Sequence, residues 1–123
     1  MRYLTDRKRA VGTGSAKSGT AHFWDMKVSS VALLILVPLF VFTFGPMLGD
    51  PHAEVVAYYA RPFPALVAAL TLVVGFKHFK DGCQVMIEDY VHGTMQKALI
   101  IGVTCLSYAA AATGVFAIAR LAL

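Results

Sequence analysis

His78, Gly82, Asp89 and Tyr90 lie on one stretch of chain, His78-Phe-Lys-Asp-Gly82-Cys-Gln84-Val-Met-Ile-Glu-Asp89-Tyr90, that follows a long apolar run. A neutral imidazole offers a nitrogen lone pair to a metal and is a good axial ligand for haem iron. Gly82 falls one turn after His78, where a missing side chain leaves room for a flat macrocycle. In soluble proteins a lone histidine is usually a hydrogen-bonded structural residue, but inside a bilayer an ionisable group is a functional candidate. A phenol such as that of Tyr90 can donate a hydrogen bond to a quinone carbonyl, and a carboxylate beside it can orient donors or relay protons. The Asp89–Tyr90 pair fits equally well an interfacial tyrosine anchor next to a helix-end acid.

At about 100° per residue, His78, Gly82, Val85 and Asp89 share one helix face. Lys77, Asp81, Gln84 and Glu88 form an adjoining polar line at the spacing i, i+4, i+7, i+11. Lys80 lies nearly opposite and is expected to snorkel or meet a partner. Lys77 and Asp81 are oppositely charged one turn apart, which lowers the cost of burying either. Both faces must point into protein, a cofactor or water rather than lipid. A network of ion pairs that only holds helices together is the alternative reading of the second line.

The elements that carry these residues are predicted to be three transmembrane helices. The first apolar run, Val28 to Met47, is interrupted only by Ser29, Ser30 and Thr43, contains Pro38, and spans about 30 Å as a helix, which matches a bilayer core. Gly45-Pro46 and Gly49-Asp50-Pro51 end it. His52 to Arg61 is predicted to form a short connecting segment at headgroup level, with Tyr58 and Tyr59 as anchors. The second run is apolar only from Phe63 to Phe76, about 21 Å of helix, so to cross it must continue through the charged residues that follow, up to His92-Gly93. That places His78 near mid-bilayer and Asp89 and Tyr90 about 16 Å further on. The third run, Ala98 to Ala119, is rich in small residues (Gly102, Ala109 to Ala112, Gly114) that let helix backbones approach closely. Expected helix bounds are roughly 23–48, 62–91 and 96–121, giving an all-α membrane domain over 21–123.

Of 123 residues, 58% are hydrophobic and 15% charged, too little polar surface for a soluble domain of this length. Six of the eleven basic residues (Arg2, Arg7, Lys8, Arg9, Lys17, Lys27) precede the first apolar run. The net charge of +4 therefore reflects a basic tail beside a membrane rather than a nucleic-acid surface. Met1–Thr20 reads as a mobile tail, and no cleavable signal peptide is expected. The bias puts the tail and the second loop, with Lys97, on the cytoplasmic or matrix side and the C-terminus opposite. Cys83 and Cys105 fall within membrane helices and read as small buried apolar residues, with no disulfide framework and no C-x-x-C metal motif.

The run from His78 to Tyr90 resembles the H-x-x-x-G-x-x-x-x-x-x-D-Y segment of the hydrophobic membrane anchor subunit of succinate dehydrogenase, respiratory complex II, at every fixed position. Ser18-Gly-Thr-Ala-His22-Phe-Trp24-Asp-Met-Lys27 looks like that family's S-G-T-H-H-W-W-x-x-R segment, with Ala21, Phe23 and Lys27 departing from it. The resemblance covers about residues 17 to 123. It implies that the helices pack with a partner subunit's helices into a haem-binding bundle. His78 would be an axial ligand of haem b, with Gly82 packing against the macrocycle and the second ligand coming from the cytochrome b subunit. Lys27 and His22 would face the haem propionates, Lys27 as a point charge without bidentate geometry. Tyr90 would hydrogen-bond ubiquinone with support from Asp89. Succinate oxidation would belong to a flavoprotein subunit, with electrons passing through an iron–sulfur subunit to quinone; three membrane helices leave no soluble domain for flavin chemistry. The setting would be a bacterial cytoplasmic (inner) membrane or the mitochondrial inner membrane.

Two readings from other classes compete with this one. A small proton- or ion-conducting subunit would use Lys77, Asp81, Glu88 and Asp89 as a relay. A cofactor-free membrane scaffold would use the small-residue third helix as its packing face.

Overall fold

In the computed structural model, which describes residues 3–14 and 19–123, the chain is helical throughout, and no strand occurs among the described residues. Of the tail, Arg2, Lys17 and Ser18 lie outside the described residues. The elements in order are α1 (Asp6–Val11), α2 (Ala21–Phe44) with a 3-10 extension (Gly45–Met47), α3 (His52–Tyr59), α4 (Pro62–Tyr90) and α5 (Gly93–Ala122). Three helices, Ala21–Met47, Pro62–Tyr90 and Gly93–Ala122, are long and apolar enough to cross a membrane, and the protein is a multi-pass membrane protein.

Within the tail, α1 is a short polar helix that the sequence reading did not anticipate. Thr5 caps it by accepting a hydrogen bond from the Lys8 amide at 3.3 Å, and Asp6 sits 3.9 Å from Arg9. It buries no residue, so local capping and charge pairing alone shape it.

Each membrane helix starts and stops for local reasons. Helix α2 runs through Pro38, which removes one intrahelical amide. Hydroxyls within the spans fold back on their own backbone: Ser30 on the Met26 carbonyl at 2.7 Å, Thr43 on that of Leu39 at 2.9 Å, and Thr71 on that of Val67 at 2.7 Å. In lipid no water competes for such donors, so the helix must satisfy them itself. Arg61 in extended conformation caps α4 and Pro62 occupies its first turn, where a missing amide costs nothing. Only Val91 and His92, both extended, separate α4 from α5, and Gly93 turns the chain at φ 73°.

Helix α4 is the centre of the bundle, packed on α2 along one side and on α5 along the other. Its 29 residues span about 43 Å, longer than a bilayer core, so its polar end reaches past the hydrocarbon. On the connecting side, α3 lies against α4 and α5. There Tyr59 is buried, because it is on the face of α3 that meets the bundle. Burial, with Tyr58 adding to it, pushes the Tyr59 phenol pKa upward. Tyr58 instead lies beside Arg61, whose guanidinium is 5.9 Å from the ring centroid.

The small residues of α5 act where α4 presses closest. A Cβ at Gly114 would stand 2.8 Å from Leu72 Cδ1, whereas one at Gly102 would meet nothing within 4 Å. Gly114→Val is therefore expected to destabilise the α4–α5 contact by about 1–3 kcal/mol through overpacking. Gly102→Val should leave that contact unchanged. Thermal melts of the detergent-solubilised protein compare the two. The cysteines depart from the buried reading: Cys83 is half-buried and Cys105 exposed, both as free thiols. Large apolar side chains cover the outer faces, with Leu34 74% and Phe42 76% exposed, as lipid-facing or partner-facing helices require.

Candidate functional site

The N-terminal half of α2 and the polar half of α4 meet in one cluster. Its centre is Asp81, only 2% exposed. Its Oδ2 accepts from Lys77 Nζ at 3.0 Å, its Oδ1 is paired with Lys80 Nζ, and His22 Nε2 approaches Oδ1 to 3.9 Å. Lys77 Nζ also reaches Asp25 Oδ2 on α2 at 3.7 Å. Two lysines thus face two carboxylates, and the charges balance across the helix pair. The expected Lys77–Asp81 pair is present, and it joins α2 to α4 through Asp25. Lys80, placed nearly opposite on the helical wheel, turns its flexible stem back to Asp81, the next residue.

The second polar line therefore divides in two. Lys77 and Asp81 are tied into the bundle, while Gln84 and Glu88 pair with each other at 2.8 Å on the exposed surface. Of these contacts, Lys77 with Asp25 reaches across to α2.

His78 faces the same helix. Its Nδ1 lies 2.9 Å from Ser29 Oγ on α2, 49 residues away in the chain. Ser29 is 4% exposed, and its Oγ also lies 2.8 Å from the Asp25 carbonyl and 3.0 Å from that of Met26. With Nδ1 engaged, Nε2 is the nitrogen left for a ligand. A Cβ at Gly82 would meet nothing within 4 Å, so the space one turn beyond His78 is open. Imidazole nitrogen and open flank suit a planar iron macrocycle. Among the described residues no three histidine, cysteine, aspartate or glutamate side chains gather into a metal site. His78 offers one nitrogen toward that space.

Near the start of α2, His22 and Lys27 line a groove of about 420 Å³ with Gly19, Phe23, Met26, Ser30 and, from α4, Val85. Val85 belongs to the His78–Asp89 face, so the fold brings the two sequence-predicted segments together. His22 Nε2 is buried without a hydrogen-bond partner. Lys27 Nζ sits 5.4 Å from the Phe23 ring centroid, and Phe23 packs edge-on against Trp24 at 5.7 Å. Trp24 itself is 62% exposed, consistent with an interfacial position.

Asp89 and Tyr90 end α4 on its exposed side, with Tyr90 83% exposed. They lie about 16 to 18 Å along the helix axis from His78. The structure thus joins His78 to α2, sets His22 and Lys27 in a groove edged by α4, and leaves Asp89 and Tyr90 at a surface. Ser29 and Asp25 escaped the sequence reading as site residues. Ser29 carried one usable signal, a hydroxyl within an apolar span that must find an acceptor in lipid.

A three-span helical protein with a charge-balanced cluster between its first and central helices, and a singly engaged histidine beside it, defines a membrane subunit built to assemble with others. The chain belongs to the succinate dehydrogenase/fumarate reductase transmembrane subunit family, whose model matches residues 1–116. It is 46% identical, over all of its own length and 95% of the relative's, to the succinate dehydrogenase hydrophobic membrane anchor subunit of Paracoccus denitrificans. The subunit of the same name from Rickettsia conorii is 32% identical over 76% of this chain and 75% of its own. That from Rickettsia bellii is 29% identical over 80% of each. No solved structure matches the chain.

Proposed function

We propose that this chain is the hydrophobic membrane anchor of a succinate:ubiquinone oxidoreductase and helps to hold haem b and ubiquinone. The observation that carries the reading is the His78 ring, fixed through Nδ1 to Ser29 with Nε2 left for iron. The names of the relatives support the complex, and the resemblance of the His78–Tyr90 run supports the cofactor and the quinone. The partners are the cytochrome b subunit, which supplies the second axial ligand, the iron–sulfur subunit and the flavoprotein subunit. The membrane is a bacterial cytoplasmic or mitochondrial inner membrane. The basic tail faces the cytoplasm or matrix and the C-terminus the opposite side.

The residues divide the work by position. His78 Nε2 would hold the iron from this subunit, with Gly82 leaving the flank clear. A haem bound there would supply a one-electron carrier inside the membrane. Lys27 would present a positive charge to the propionates at the groove, and His22, on the same wall, would join it by turning from Asp81. Quinone reduction consumes two electrons and two protons, and Tyr90 donates a hydrogen bond to the quinone carbonyl that gains charge. When the phenol has passed its proton to the reduced quinone, Asp89 beside it would take a proton from solvent and return one to the phenol. The exposed end of α4 suits an iron–sulfur subunit docking there, which shortens the path to quinone.

Tyr90→Phe tests the quinone half. Ubiquinone reduction by the assembled complex is expected to fall by about 100- to 1,000-fold, the range of one lost transition-state donor. Succinate oxidation with an artificial dye acceptor should stay near wild type. Parallel loss of both activities would instead make Tyr90 a structural residue.

A further inference from the structure

The contact between His78 and Ser29 carries a consequence for the ligand itself. Three groups crowd Ser29 Oγ: the Asp25 carbonyl at 2.8 Å, the Met26 carbonyl at 3.0 Å and His78 Nδ1 at 2.9 Å. A hydroxyl has one proton to give and lone pairs to accept with, and a carbonyl oxygen can only accept. At these distances from two carbonyls the Ser29 proton is drawn to the backbone, because two oxygens at 2.8 Å without a proton between them repel. Nδ1 can then stay at 2.9 Å only by carrying a proton and donating it to Oγ. An unprotonated Nδ1 would set lone pair against lone pair.

We infer that Ser29 is the positioning residue of the His78 ligand: its hydroxyl, accepting from Nδ1–H, selects the tautomer with a free Nε2, fixes the ring plane and strengthens electron donation from the coordinating nitrogen. The inference rests on the reading of His78 as a haem ligand. Ser29 is suited to the role by burial, at 4% exposed, which keeps water from replacing it. It stands on α2 while the ligand stands on α4, so ring orientation depends on how those helices pack. The Lys77–Asp25 contact spans that packing, and Asp25 and Met26 supply the carbonyls that orient the hydroxyl. Outer partners of this kind increase ligand electron donation and commonly change metal affinity by about 10- to 100-fold.

The direction of the effect follows. A more basic imidazole favours ferric over ferrous iron. Removing the acceptor makes Nε2 a weaker donor and shifts the couple toward the reduced form.

The test is redox titration of the haem in the purified four-subunit complex, with haem per flavin measured alongside. In Ser29→Ala the reduced-to-oxidised ratio at fixed ambient potential is expected to rise by about tenfold, equivalent to about 59 mV for a one-electron couple. Ser29→Thr, which keeps the hydroxyl, should return the ratio to within about twofold of wild type, taking the same scale. If Ser29→Ala fails to assemble, Ser29→Cys replaces it, since a thiol is a weak acceptor of similar size. An unchanged ratio in Ser29→Ala, or in Ser29→Cys where that variant stands in, would overturn the inference. So would a threonine variant displaced as far as alanine. His78→Ala separates the two levels. Loss of the haem spectrum there, with an unmoved ratio in the serine variants, rejects Ser29 while leaving the ligand. A retained haem spectrum in His78→Ala rejects the ligand and Ser29 with it.

Discussion

The b-type haem absorbance of the purified complex is expected to vanish in His78→Ala, with haem per flavin reduced by more than about tenfold. Loss of an outer-shell partner already changes metal affinity by about 10- to 100-fold, and loss of the ligand itself exceeds that. No other imidazole of this chain can substitute. His22 stands at the start of α2, His52 at the start of α3 and His92 at the cap of α5, each away from the His78–Ser29 contact or already turned to Asp81. The measurement is a dithionite-minus-ferricyanide difference spectrum on the assembled complex. An unchanged spectrum rejects the proposed assignment, since a cofactor-free scaffold has no haem spectrum to lose and a proton-conducting subunit has no need of one.

Asp81→Leu is expected to be the most damaging substitution for assembly. Asp81 is 2% exposed and answers Lys77 and Lys80 at once. Breaking one side of a buried ion pair costs about 3–5 kcal/mol, because the remaining charges keep their desolvation penalty without their partner. The lower end of that range applies here, since the Lys77 side chain is 42% exposed and can turn toward headgroups. The expected readout is a fall in the yield of membrane-integrated complex and in its thermal midpoint. Replacing all three charged groups by apolar residues, Lys77→Met and Lys80→Met with Asp81→Leu, should recover much of the loss, as matched apolar packing often equals or betters a buried pair. A triple variant no better than Asp81→Leu would show that Asp81 has a role beyond pairing.

Much of this arrangement was legible along the chain. The length deficit between Phe63 and Phe76 forced α4 to carry charge into the bilayer, and the helix runs to Tyr90 as that arithmetic required. Lys77 and Asp81 pair as their i,i+4 spacing implies, because that relation is set within one helix. What crosses between helices was not legible. Ser29 and His78 are 49 residues apart, and neither periodicity nor composition encodes which face of α2 meets which face of α4. The same reason hid Asp25, which looked like one polar residue of an interfacial segment and is instead a strut to Lys77. Lys80 meets a partner, one of the two outcomes expected of it, and that partner is Asp81: angular position gives the Cα, but a four-carbon stem can carry its charge a quarter turn or more. The burial of Tyr59 was hidden too, because which face of α3 packs inward depends on the bundle beneath it.

The link of only Val91 and His92 between α4 and α5 also constrains how the protein enters its membrane. Two extended residues reach about 7 Å, far less than a bilayer thickness. The ends of α4 and α5 that they join must remain on the same side, so the two helices enter as a hairpin rather than one after the other. The insertion machinery then meets the charged half of α4 together with the strongly apolar α5, whose favourable partitioning offsets the cost of lysines and carboxylates. Helix α2, made first, already presents Asp25 and Ser29 to the arriving hairpin. Biogenesis and site formation thereby become one event: Lys77 and His78 gain their partners as they leave the aqueous phase.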